Sequence, residues 1–339
     1  MPSHIYYHDH CADGFASYVI VRQNLEWAGE TQVHGYACQY DKPLPVDPLS
    51  LPEGDPIYFV DFTPEVGHGG ADLLMQLART HPFSLYDHHE TAFWHPATKD
   101  RPAGPGPLLK LAEMSKGDGL RPIVYYSPSR QNAEPHQALA KDYAGWILTN
   151  SNQSAAGMVW PSAILNPIVE LIQYRDLGYT WTRATEEPTK AHQSRAIHAA
   201  LMRVVNRRYH AWAPLLDPDN HPDTDTENLN WLTKLGNEIL IADAKAIELA
   251  IRSPFTISLE GHQVPSVITD QPHLISELGN ALLKAQPSAP FAAVLMHDPE
   301  TQKTKVSLRG RPDGINVGHI AAKFGGGGHA QAAGYSRQD

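Results

Sequence analysis

The sequence predicts an α/β protein of two domains: a larger amino-terminal one on a parallel sheet and a smaller carboxy-terminal one on a mixed sheet, joined by a helical linker. Three observations carry this. Short apolar runs alternate with helix-like stretches over the first ninety residues, the pattern of a parallel sheet flanked by helices. The 339 residues exceed a usual single domain. A second series of strand and helix patterns begins after Pro254.

Taken in order, Ile5-Tyr6-Tyr7 reads as a strand, followed by Asp13-Gly14 and then by Phe15, Tyr18, Val19 and Arg22 at helical spacing. Pro56-Ile57-Tyr58-Phe59-Val60 is a second strand ending at Asp61, and Phe83-Ser84-Leu85-Tyr86 a third ending at Asp87. Ligands of open parallel sheets sit beyond the carboxyl ends of the strands, so His8, Asp13, Asp61, Asp87, His88 and His89 are expected to converge on one crevice. Residues 97–150 are turn-rich and read as an insertion, with a short apolar run at Ile123-Val124-Tyr125. Helices over 155–177 lead to Tyr174-Arg175-Asp176. Residues 190–252 read as a helical connector, with Leu240, Ala244, Ile247 and Ile251 as one apolar stripe. Beyond it, strands are expected at 255–260, 263–269, 291–297 and 303–309, and helices at 274–286 and 315–324. The domains are therefore set at 1–189 and 253–339, with 190–252 between them.

Composition narrows the function. A formal net charge of −10 disfavours a protein that coats nucleic acid, since such proteins gain affinity through many Lys and Arg. No stretch approaches the roughly 18 apolar residues of a membrane span. The start Met1-Pro2-Ser3-His4 lacks a basic region followed by an apolar one, so no membrane association and a cytoplasmic location are expected. Two cysteines, Cys11 and Cys38, are too few for a disulfide framework. Of the 19 histidines, most, such as His34, His81, His136 and His221, read as surface or satisfied core residues.

Three segments concentrate chemistry. His8-Asp9-His10-Cys11-Ala12-Asp13-Gly14 places metal-ligand types at a strand end, with a glycine that permits a tight turn; Asp before a helix is equally an ordinary cap. In Asp87-His88-His89-Glu90 a carboxylate is available to orient an imidazole. Gly325-Gly326-Gly327-Gly328-His329 has the composition of a backbone amide cradle, with Arg309 as a fork for phosphate. Arg311 reads as a solvated charge.

The order H-x-x-C-x-D-G at 8–14, V-D-F at 60–62, D-H-H at 87–89, Y-R-D-L at 174–177 and G-G-G-G-H-A-Q-A-A-G at 325–334 resembles the DHH phosphoesterase superfamily with its DHH-associated carboxy-terminal domain. In layout it is most similar to the nanoRNase and phosphoadenosine-phosphate phosphatase branch. The resemblance implies two divalent metal ions, manganese first, with magnesium, cobalt or iron as alternatives. It puts His8 and Asp13 on different metals, Asp61 on both, His88 as the ligand of the triplet and Asp176 on the second metal. Asp87 would stand behind the ligands, and His89 would face the substrate phosphate. Gly326, Gly327, Gly328, His329 and Arg309 would bind phosphate. One departure stands out: many family members have Asp where this chain has Cys11. The thiol reads either as a ligand or as a small buried filler, and His10 is an alternative to His8.

The expected activity is hydrolysis of short oligonucleotides from the 3′ end, with nucleoside 3′,5′-bisphosphates as further substrates and no binding of duplex DNA. Alternatives are a cyclic or linear dinucleotide phosphodiesterase, a polyphosphatase, or, in another class, a nucleotide sensor whose catalysis is weakened by Cys11. The sequence leaves the oligomeric state open, a homodimer included.

Overall fold

A computed structural model describes residues 1–40, 42–89, 92, 94–95, 104–118, 123–126, 145–150, 152–299, 302–328 and 330–338. The chain divides into two compact units, one of Met1–His95 with Pro105–Ile239 and one built on Leu240–Asp339.

The first unit is organised by a six-stranded sheet of β1 (Ser3–His8), β2 (Val33–Cys38), β3 (Ile57–Val60), β4 (Phe83–Asp87), β5 (Ile123–Tyr126) and β6 (Gly145–Thr149). The order is β2-β1-β3-β4-β6-β5, parallel at every pairing. Successive side chains of a strand face opposite ways, and both faces are covered. Ile5 joins Phe15, Val19 and Ile20 of helix α1 (Ala12–Trp27), whereas Tyr6 joins Phe59, Leu85 and, from α2 (Gly70–Thr80), Leu74 and Leu77. Such double burial is why the central strands read as continuous apolar runs. Helix α3 (Pro107–Asp118) follows, then α4 (Ala155–Val159), α5 (Pro167–Asp176) and α6 (Pro188–Ala200). From β1 the chain goes out to β2 on one side and returns to β3 on the other. The reversal between β1 and β3 marks the place where such sheets open a crevice.

Gly14 lies inside α1, and a Cβ there would stand 2.3 Å from the His8 carbonyl oxygen. The glycine thus answers a close approach of helix to strand, not the tight turn expected from the sequence. Strand β6 belongs to the main sheet, while 97–103, 119–122 and 127–144 of the expected insertion lie outside the described residues.

Helix α7 (Pro222–Ala250) begins in the first unit, where Leu232 is buried, and ends in the second. There its inward side runs through Ala246, Ile247, Ala250 and Ile251, while Ala244 of the expected stripe is exposed. The second unit has strands β7 (Phe255–Leu259), β8 (His262–Ile268), β9 (Phe291–Asp298), β10 (Lys303–Gly310), β11 (Gly327–Gly328) and β12 (Ala332–Gln338). They are ordered β11-β12-β10-β9-β8-β7, parallel only between β8 and β9. Helices α8 (Ile275–Ala285) and α9 (Val317–Lys323) cover opposite faces.

Candidate metal centre

His8 is the last residue of β1 and Asp87 the last of β4. Asp61 follows β3 with φ of 55°, a left-handed conformation that Asp tolerates better than most side chains. Its amide donates to the Tyr86 carbonyl at 2.8 Å, which secures the bend. The fully buried Asp61 carboxylate then has Oδ2 at 3.2 Å from His8 Nδ1 and Oδ1 at 3.3 Å from His88 Nε2.

Asp87 acts from behind. It accepts hydrogen bonds from the amides of His88 and His89 at 2.8 and 3.1 Å and from the Thr63 hydroxyl, and lies 2.7 Å from His89 Nδ1. These bonds fix the direction of both imidazoles. Asp13, also fully buried, accepts from the amides of Ala155 and Ala156 at 2.7 and 3.1 Å, buried donors at the start of α4 that have no partner within the helix. Asp176, the last residue of α5, places Oδ2 at 2.9 Å from His88 Nε2.

The donor set fits divalent cations. Asp61 Oδ1, His88 Nε2 and Asp176 Oδ2 are buried without hydrogen-bond partners among the described residues, although His88 Nε2 is within 3.3 Å of both oxygens. Atoms this close without hydrogen-bond geometry are directed at shared space, and an ion there would satisfy them. Two trios have ligand atoms within 4.8 Å of one another, His8, Asp61 and His89, and Asp13, Asp61 and His88. Asp61 belongs to both.

Electrostatics agrees. Burial, then Asp176 and Asp61, push the Asp13 carboxyl well above the usual range. Burial opposes the charge on Asp61 too, but His8, His88 and His89 hold it well below. Against their own desolvation, His88 is raised well above its ordinary value by Asp176 and Asp61, and His89 is raised to about 9 by Asp87 and Asp61. Negative charge so concentrated is the complement of bound cations.

Cys11 caps α1, and its thiol lies 3.9 Å from Asp176 Oδ1, outside both trios. Burial and the charges of Asp61, Asp176 and Asp13 raise the thiol well above its usual value. His10 is not brought to the centre; it is exposed, with Nε2 at 3.2 Å from Asp9 Oδ2.

Sequence reasoning missed two neighbours. The Tyr40 ring stacks on Phe62 at 4.9 Å and meets the imidazoles of His8 and His89 at 5.2 and 5.8 Å, its hydroxyl buried without a partner among the described residues. Arg207 pairs with Asp9, the residue after His8. Neither carries a local signal, since Tyr40 follows a strand the sequence did not show and Arg207 lies in the helical region.

In the second unit the glycine run is only partly open. A Cβ on Gly326 would stand 2.1 Å from the Gly334 carbonyl oxygen, and Gly327 and Gly328 pair with Gly334 and Ala333 of β12. Packing therefore accounts for Gly326, whereas Gly327 faces open space. His329 lies outside the described residues. Arg309 is partly buried, Nη2 donating to Ser276 Oγ at 2.7 Å and Nη1 to the Leu308 carbonyl at 2.8 Å. Its stem crosses Gly279, where a Cβ would meet Arg309 Cγ at 2.5 Å. Arg311 is no solvated charge: it donates to the carbonyls of Leu283, Gln286 and Ala289 and closes the end of α8.

Residues 271–339 match the DHHA1 domain. Oligoribonuclease NrnB of Bacillus subtilis (strain 168) is 45% identical over 64 residues, 19% of this chain and 15% of that protein's length. Among solved structures, RecJ in complex with Mn2+ from Thermus thermophilus has a TM-score of 0.43 at 14% identity over 99% of this chain and 49% of that one. The pGpG-specific phosphodiesterase PggH from Vibrio cholerae has a TM-score of 0.36 at 12% identity over 99% of this chain and 93% of that one.

Proposed function

We propose that the chain, whose residues 271–339 match the DHHA1 domain, is a member of the DHH superfamily and a phosphoric ester hydrolase of short oligonucleotides, working with two divalent cations, manganese first. The observation that carries this reading is the membership of Asp61 in both trios, since one shared carboxylate is what keeps two ions at the spacing of a two-metal site. His8 and Asp61 would hold one ion, and Asp13, Asp61, His88 and Asp176 the other. Bound there, the ions supply neutralisation of the charge that develops on the transferring phosphoryl group.

The side chains divide the remaining work. Asp87 lies 2.7 Å from His89 Nδ1 and, with Asp61, favours the imidazolium against burial, and in that form Nε2–H would donate to a phosphate oxygen. Within the second unit, Arg309, Gly327, Gly328 and His329 would bind phosphate, while Gly326 is required by its packing against Gly334. Short length is favoured because a chain of net charge −10 offers no extended basic track for further phosphates. Among the described residues no helix is long and apolar enough to cross a membrane. The intact set of Asp13, Asp61, His88 and Asp176 favours catalysis over a nucleotide sensor, which needs no complete second ligand set. Nucleoside bisphosphates and linear or cyclic dinucleotides share the phosphate chemistry.

The deciding experiment is a manganese-supplemented turnover assay over oligonucleotides of about two to thirty residues, nucleoside bisphosphates, cyclic dinucleotides and polyphosphate. Dinucleotides to pentanucleotides should be cleaved with much higher kcat/KM than longer strands. Equal efficiency on long single strands, or full turnover in excess chelator, would overturn the reading.

A further inference from the structure

Helix α6 runs into a π-helical turn, Leu201–Val205, which ends at Asn206 with φ of 63° and ψ of 168°. The buried Trp212 pins this corner, its indole N–H donating to the Asn206 carbonyl at 2.6 Å. A π-turn next to a left-handed non-glycine residue is unfavourable locally, and such backbone tends to persist where it places a working side chain. The side chain delivered here is Arg207.

Its partner is Asp9. Asp9 Oδ1 receives Arg207 Nη1 and the His10 amide at 2.8 Å, and Oδ2 receives Gln39 Nε2 at 3.1 Å and faces His10 Nε2 at 3.2 Å. The pairing is lopsided: the carboxylate keeps two other donors, the His10 amide and Gln39, if the guanidinium leaves, whereas Arg207 spends one of five N–H groups and its others meet no acceptor among the described residues. The Arg207 side chain is 29% exposed. Asp9 follows His8 directly, yet the two share no partner, His8 turning to Asp61 and Tyr40. Arg207 thus stands beside the metal centre and not in it.

We propose that Arg207 receives a phosphate of the substrate other than the one held at the cations, and that Asp9 masks it until that phosphate arrives. The proposal rests on the hydrolase reading above and adds the side chain that would recognise the second phosphate of a substrate carrying two. A guanidinium matches phosphate with two parallel hydrogen bonds, which the single contact to Asp9 does not use. Asp9, still held by Gln39 and His10, would lose little in the exchange.

The test is calorimetric titration of the manganese-loaded full chain with adenosine 3′,5′-bisphosphate and with adenosine 5′-monophosphate. Arg207→Ala should weaken the bisphosphate roughly tenfold and the monophosphate less than twofold, as expected for loss of a hydrogen bond to a charged group. Asp9→Asn should tighten the bisphosphate severalfold, and Arg207→Lys should fall between wild type and Arg207→Ala. Manganese affinity and melting temperature of each variant show that the centre and fold persist. If Arg207 merely clips the turn, Asp9→Asn and Arg207→Ala will weaken binding alike, and the proposal falls; it falls also if neither changes binding or if wild type does not prefer the bisphosphate. A wild type that prefers the bisphosphate yet hydrolyses no phosphate ester removes the hydrolase reading alone.

Discussion

His88 Nε2 stands 2.9 Å from Asp176 Oδ2, and the two atoms share no hydrogen bond. One comes from the loop after β4, the other from the last residue of α5, so a loop and a helix end are brought face to face over buried space. Within that space a proton on His88 and a divalent cation serve the same electrostatic end.

Removing divalent cations should therefore abolish turnover and also lower the melting temperature, because the binding free energy of the ions is lost and protons on His88 and Asp13 restore only part of the charge balance. An ion at a hundred times its Kd contributes about 2.7 kcal/mol at each site. Thermal unfolding after chelation and after manganese readdition reads this directly. An unchanged melting temperature would show that the carboxylates do not share an ion.

Asp61→Asn and Asp13→Asn should separate activity from stability. Asn tolerates the left-handed backbone at position 61, so that variant should stay folded while losing about 10²- to 10³-fold in kcat, the scale of deleting one preorganised charge partner. Asp13→Asn turns an amide group toward the Ala155 or Ala156 N–H, and an unsatisfied buried donor costs about 1–3 kcal/mol. It should lose more stability and less activity. Urea unfolding alongside steady-state kinetics checks both, and the opposite ranking would mean that Asp61 is not the shared ligand.

Cys11→Asp should keep or raise manganese-dependent activity. A fourth carboxylate would sit beside Asp176, so the cation-free variant should melt below wild type, while manganese should raise its melting temperature by more than it does for wild type. Weaker manganese binding by a folded variant would make the thiol itself a required ligand.

Gly279→Ala should mimic Arg309→Ala. A methyl group at 279 displaces the Arg309 stem at Cγ, so both variants should raise KM for short oligonucleotides severalfold while leaving manganese affinity within twofold. Combining them should add little, because residues acting through one contact are not additive. Additive losses would separate the helix notch from the guanidinium.

The sequence made legible those parts whose signal is local. β1, β3 and β4 are buried on both faces and read as apolar runs, and the ionisable residues at their ends, His8, Asp61 and Asp87, are where a parallel sheet puts a site. Strand β2 escaped because it is an edge strand, with exposed His34, Gly35 and Ala37 diluting its apolar pattern. β12 escaped because Ala332-Ala333-Gly334 lacks the branched residues that mark strands. Tyr40 and Gln39 were lost with β2. The contacts of Asp13 to Ala155 and Ala156 join distant parts of the chain, and no periodicity encodes them. The roles of Arg309 and Arg311 turn on packing: Arg309 lies over a glycine notch, and Arg311 closes a helix.

The grip of Ala155 and Ala156 on Asp13 bears on how the protein is made. On a ribosome the signature beginning at His8 emerges before its partners, and Asp13 has neither its two amides nor the neighbouring Asp176 until the segments around 155 and 176 have followed. At usual rates of synthesis the delay is roughly 10 to 30 seconds. During that interval the nascent chain carries histidines and carboxylates able to capture stray ions singly, in geometries unlike the finished one. Metal selection should therefore come late, after α5 has closed on the sheet. A cell that expresses this protein in the wrong metal supply would trap the error only in completed chains.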